Sequence, residues 1–246
     1  MAYEGLDYIT IQGFKSIRSN EKLALRHINI LIGPNGSGKS NFLGTFSFLH
    51  AVREGRLQNY VTEAGGAEKI LHFGSKTTKR IKIDVSFCGE INQYSLTLLP
   101  SNDDSLFPDG EVASFWSKPQ HKHPYTEGLP PLSNGREAGI SGASLSRIQV
   151  WVRTRLGSWR RYHVHDTSSS SPMRKTTNTN DNNFLRPDGS NLAAFLYFLY
   201  KKHPESYSMI RRTIQRVAPF FDDFNLAPLA LNPDSIKLEW KHKNSD

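Results

Sequence analysis

Eight consecutive residues, Gly33-Pro34-Asn35-Gly36-Ser37-Gly38-Lys39-Ser40, meet the pattern G-x-x-x-x-G-K-[ST] at every fixed position. Their types state the chemistry. Gly33, Gly36 and Gly38 open backbone angles closed to other residues and put no side chain in a ligand's way. Successive N–H groups can then converge on anionic oxygens, helped by the positive end of a following helix. Lys39 supplies a compact point charge suited to the β- and γ-phosphates of a nucleoside triphosphate. The Ser40 hydroxyl is the expected ligand of Mg²⁺. Asn35, at a position the pattern leaves free, is a candidate to face the γ-phosphate or an attacking water.

Such a loop must be held between two elements. Ile28, Ile30, Leu31 and Ile32 form an apolar run that reads as a buried strand leading into it. After Asn41, Phe42, Phe46, Leu49 and Val52 recur at helical spacing, so a helix packed on a sheet is expected, ending near Gly55. Upstream, Tyr8 to Phe14 alternates as a strand, and a polar turn at Ser19 and Asn20 leads back toward the loop.

The surrounding sequence carries a family resemblance. Ile11-Gln12-Gly13-Phe14-Lys15-Ser16-Ile17 resembles the opening I-x-x-F-[KR]-S-[IF] of RecF/SMC-type ATPases, a branch of the ATP-binding cassette superfamily. Gly33 to Asn41 is that branch's usual form of the loop. Tyr162-His163-Val164-His165-Asp166-Thr167-Ser168 is similar to a YHFHDTS segment of bacterial RecF-like ATPases. Asn183 to Leu196 is similar to their L-x-x-D-G-x-N-L-A-x-x-L stretch. The resemblance implies an α/β fold: a mixed central sheet around loop and helix, an antiparallel β-subdomain and a partial helical lobe. It implies ATP and Mg²⁺ as cofactors, with Lys15, Ser16 and Asn41 joining the loop at the nucleotide. A homodimer through ATP-bound heads and action on DNA are implied as well, in repair or anti-phage defence, in some relatives beside a nuclease. His165 or Asp166 is a candidate to approach Mg²⁺ or the γ-phosphate; a strand end capped by Asp166 and Thr167 is the alternative.

Composition sets bounds. At 37% hydrophobic and 22% charged, the chain has the makeup of a globular protein. No apolar run is long enough to cross a bilayer, and the first residues lack signal-peptide regions. Cys88 is the single cysteine, which excludes an intrachain disulfide and any cysteine cluster for metal, and points to a reducing cytoplasm. The net charge of +8 favours polyanions, or serves a nucleotide site and solubility.

Three regions are expected: a nucleotide-binding lobe over 1–167, a polar loop over 168–183, and the start of a helical lobe with a final strand over 184–246. Within the first, Glu63 to Gly74 reads as irregular. Ile81 to Phe87 and Tyr94 to Leu99 read as a hairpin turned at Cys88 to Asn92. From Pro100 to Ser146 the pattern disappears, and an irregular insertion is expected. His121 and His123 there lack further ligands at metal-binding spacing. Residues 147–166 alternate enough to read as strands, with Arg153, Arg155, Arg160 and Arg161 among Trp151, Trp159 and Tyr162. That mixture suits either single-stranded nucleic acid or aromatic packing across a hairpin. Farther on, Asp188 or Ser190 should cap a helix beginning near Asn191, and a second should run from about Glu205 with Arg211, Arg212 and Arg216 on one face. Phe220 to Asp223 reads as its terminus, and Ile236 to Trp240 as a closing strand.

A cassette ATPase that turns over also needs an apolar strand ending in Asp-Glu (Walker B) and an LSGG-like signature. Neither is found, so the chain reads as the N-terminal portion of a longer ATPase, binding ATP without hydrolysing it; a split gene or a binding protein that never hydrolyses are alternatives. A GTPase would need an N/T-K-x-D motif after a strand, which is missing. A P-loop kinase remains a rival.

Overall fold

A computed structural model describes residues 5–162, 168 and 170–243. The chain divides into two compact units, Met1–Trp159 and Arg160–Asp246.

The first unit is built on β1 (Leu6–Phe14), β2 (Ile17–Ser19) and β3 (Leu23–Ala24), then the helices α1 (Lys39–Arg53), α2 (Leu57–Glu63), α3 (Ala67–Ile70) and α4 (Gly74–Thr77). The strands β4 (Ile81–Phe87), β5 (Asn92–Pro100), β6 (Leu106–Phe115) and β7 (Tyr125–Gly128) follow, and α5 (Arg147–Ser158) closes the unit. The strands form one sheet in the order β2-β1-β4-β5-β6-β7, with β3 also on β1. Every pairing in it is antiparallel. The alternation in β4 does what period two requires: Ile81, Ile83, Val85 and Phe87 are buried. They join Ile9 and Ile11 of β1, and Phe48, Leu49 and Val52 of α1, in one core. The expected hairpin is present, and its turn passes through left-handed angles at Cys88, Gly89 and Glu90.

Four expectations for this unit are corrected. Residues 28–32 form no strand: Ile28, Ile30 and Ile32 are 81%, 78% and 90% exposed. Both sides of β1 are already occupied, by β2 and β3 on one and β4 on the other, and Asn29 folds its side chain onto the Arg26 backbone in a local turn. The segment from Glu63 to Gly74 is not irregular throughout: it holds α3 between the end of α2 and the start of α4, with turns at Gly65 and Gly66, both at positive φ, and at His72 and Phe73. Residues 100–146 carry β6 and β7. The register of β6 slips between Thr97 and Leu98 of β5, opposite Gly110 and Pro108, and this bulge breaks the alternation that sequence reading needs. Residues 147–158 are a helix, not strands. Ser146 and Gln149 form a capping box at its start, and Ile148, Val152 and Leu156 turn inward at intervals of four. Val150, which a strand would have buried with Val152, is 49% exposed.

In the second unit, β8 (Thr177–Asn178) precedes α6 (Leu192–Lys202) and α7 (Pro204–Val217). After them come β9 (Phe221–Asn225), β10 (Pro228–Leu229), β11 (Asn232–Ile236) and β12 (Glu239–His242). β11 lies between β10 and β8, and β12 pairs with β9. The two expected helices are present. Asn191, not Asp188 or Ser190, stands at the cap position of α6, and its side chain is spent elsewhere. It is fully buried, accepts from Arg186 N and donates to the carbonyls of Asp181 and Phe184, which fixes the preceding loop. Phe221 to Asp223 lies in a strand rather than at a helix terminus, and the closing strand is two strands, β11 and β12, because Lys237 and Leu238 interrupt it. The polar stretch after Ser168 holds β8 and a 3-10 turn at Pro172–Arg174.

Candidate nucleotide-binding site

Lys39 opens α1, and the loop before it is shaped by two left-handed glycines, Gly36 at φ 83° and Gly38 at φ 92°. The Lys39 side chain curls back over the loop. Its ammonium donates to the carbonyls of Gly33 at 2.7 Å and Pro34 at 2.8 Å, and to Ser37 Oγ at 3.3 Å. The first two bonds tie the cation to the loop's first two residues. The third and longest, to an exposed hydroxyl, is the one an incoming oxyanion can replace, since an ammonium has three donors. No side chain caps the first turn of α1, and no acidic residue lies in it. Among the described residues no side chain therefore competes for its leading N–H groups, as anion binding requires. Ser40 is exposed on the same turn. This donor set fits a triphosphate chain, with Ser40 the residue that would hold Mg²⁺, whose charge would offset that of the phosphates.

A second strand of the chain braces the loop. Between β1 and β2, Lys15 adopts φ 49°. Its N–H donates to Ile70 O at 2.6 Å, and its carbonyl is 2.8 Å from His72 Nδ1. The Lys15 ammonium lies over the rings of Phe14 and Tyr60, at 5.6 and 5.7 Å from their centroids. Next to it, Ser16 Oγ accepts from Asn41 Nδ2 at 2.8 Å. The same oxygen stands 2.9 Å from where a Cβ on Gly38 would be. Turn, loop and helix thus meet at Ser16, Gly38 and Asn41, residues that the sequence placed at one site from segments far apart.

Other candidates fall differently. His165 and Asp166 lie outside the described residues. Two of the three aromatic residues of the basic segment are packing groups: Trp151 meets the Phe87 ring, and Trp159 meets Phe46 and Phe87, whereas Tyr162 is exposed. Arg155 lies over Trp151, and Arg153 donates to Gly142 O at 2.9 Å. In the second unit Asp223 accepts from the Tyr207 hydroxyl, and Arg211 engages both Asp222 and Asp223. Among the described residues no group of three or more His, Cys, Asp or Glu could hold a metal, His121 and His123 included, and no helix is long and apolar enough to cross a membrane.

Sequence reading missed a cavity of about 630 Å³ beside the loop. Ser16 and Asn41 form one wall; Glu68 and Phe73, from the segment read as irregular, contribute others. Hydrogen bonds from Ser75 hold the Glu68 carboxyl below its usual range, with Lys76 and Lys79 adding to the effect. The signal in the sequence was apolar Ile70, Leu71 and Phe73 set among glycines.

A glycine-bearing turn that opens a helix packed on a large antiparallel sheet is an α/β arrangement consistent with the fold of AAA-type phosphate-loop ATPases. The chain belongs to the AAA ATPase domain family, whose model matches residues 6–227. It is also similar to the chromosome partition protein Smc of Thermoplasma acidophilum, 39% identical over 71 residues, covering 26% of this chain and 6% of that protein. The chain therefore spans only a small part of that relative's length.

Proposed function

We propose that the chain binds Mg-ATP through Gly33 to Asn41, with Lys15 and Ser16 bracing the site, as part of a RecF/SMC-like ATPase. The observation that carries this is the Lys39 ammonium tethered across the loop by two carbonyls with its third bond on an exchangeable hydroxyl. Lys39 counters phosphate charge, the loop amides orient the phosphates, and Ser40 holds Mg²⁺. Bound nucleotide then joins two copies head to head, and the pair acts on DNA in maintenance, repair or anti-phage defence. The net charge of +8 and the Smc likeness support a DNA partner.

A second reading has its own support: the chain by itself binds ATP without turnover. The best acidic pair on a strand, Asp222 and Asp223, is committed to Tyr207 and Arg211. Calorimetry with Mg-ATP tests binding, and phosphate release tests turnover. Saturable binding lost in Lys39→Ala supports the proposal. Multiple turnover by this chain alone contradicts the second reading.

A further inference from the structure

Phe73 is anomalous twice over. Its backbone is left-handed, at φ 55°, where a bulky side chain is strained, and its ring is 81% exposed. Gly74 follows at φ 75°, so the chain turns sharply there and leaves the ring standing beside the cavity. The His72 ring lies against it, at 4.4 Å between centroids. His72 is itself pinned, through its N–H to Gly13 O and its ring nitrogen to Lys15 O. The ring is therefore held in place from beneath and left open to a ligand.

The cavity it faces reaches the phosphate loop. Ser16 and Asn41 line it, and the Ser16 hydroxyl abuts Gly38. A volume of about 630 Å³ accommodates a nucleoside. On the far side of Phe73 a second cavity of about 500 Å³ carries Arg18 and Arg80, without a loop residue among its walls. Of the two, the first cavity is the one that adjoins the loop, through Ser16 and Asn41.

We infer that Phe73 is the stacking platform for the base of the bound nucleotide. An aromatic face accepts any base, so it contributes affinity rather than identity. Glu68 also lines the cavity, its carboxylate beside Gly74 and accepting from Ser75 N at 3.0 Å, which puts a carboxylate acceptor on the wall next to Phe73. The inference rests on the loop binding a nucleoside triphosphate.

The test compares Mg-ATP with Mg-tripolyphosphate, which lacks the base, by calorimetry. Phe73→Asn removes the ring while suiting left-handed backbone, so its melting temperature should hold or rise. Phe73→Trp restores a stacking face. ATP affinity should fall at least about fivefold in Phe73→Asn and return in Phe73→Trp, with tripolyphosphate affinity unchanged in both. ATP binding that depends on Lys39 but is indifferent to Phe73→Asn overturns this inference alone. Equal losses for ATP and tripolyphosphate in Phe73→Asn also overturn it, since the ring would then act on the loop. No binding of either ligand by the unaltered protein overturns the nucleotide reading and this inference together.

Discussion

Gly36 and Gly38 share a backbone conformation but not surroundings, and that difference gives a graded prediction. An L side chain in the left-handed region costs about 1–2 kcal/mol. At Gly36 a Cβ would meet nothing within 4 Å, so Gly36→Ala should cost that and no more. At Gly38 the Cβ would sit 2.9 Å from Ser16 Oγ, which must then move. That oxygen accepts from Asn41, and breaking such a bond costs about 0.5–1.5 kcal/mol. Gly38→Ala should therefore cost about 1.5–3.5 kcal/mol in total. Adding Ser16→Ala, which deletes the obstructing oxygen, should make the Gly38→Ala substitution cost about what Gly36→Ala does. Urea midpoints followed by the fluorescence of Trp151 and Trp159, both packed in this unit, would read the series. If Gly38→Ala and Gly36→Ala were equal, or Ser16→Ala gave no relief, the bracing of the loop by the Lys15–Ser16 turn would be refuted.

The other predictions concern buried polar groups. Glu111 is 5% exposed and accepts from the Tyr94 hydroxyl at 2.8 Å, Gly139 N at 2.6 Å and Ile140 N at 3.0 Å. Glu111→Ala strands all three donors and should cost at least about 3 kcal/mol by chemical denaturation. Burial pushes the Glu111 carboxyl up, against the hydrogen bonds that lower it. A raised folded value makes its stability contribution full below the ordinary glutamate value and lost as pH rises through the raised one. The advantage of the native protein over Glu111→Gln should accordingly shrink in thermal melts as pH rises above the ordinary glutamate range. Asn191→Ala, which leaves one backbone donor and two backbone acceptors of part-buried hydrogen bonds without their partner, should loosen residues 181–191, seen as faster amide exchange there with the first unit's protection unchanged.

The helix after the loop, the glycine-bearing loop and the β4–β5 hairpin could all be read from the chain, because their signals are local: spacing of three and four, spacing of two, and turn residues. The apolar run Ile28–Ile32 misled for the opposite reason. Its burial as a strand depends on neighbours at its sides, and β1 is already paired on both. In β6, a proline, an unpaired position at the bulge and a buried glutamate erase the alternation, yet nine pairings with β5 hold it in the sheet. Residues 147–158 fit two periods at once; the capping box at Ser146 and Gln149 was the deciding local clue. At the candidate site, the glycine turn and the helix that Lys39 opens were legible, because both are local. The cavity was not, since Lys15, Asn41, Glu68 and Phe73 converge only through tertiary packing.

Isothermal calorimetry of Mg-ATP with the unaltered protein and with Lys39→Ala tests the central claim most directly. The account predicts saturable binding that weakens at least about tenfold when the ammonium is removed. Binding of equal strength in both proteins, or none in the unaltered one, would contradict it.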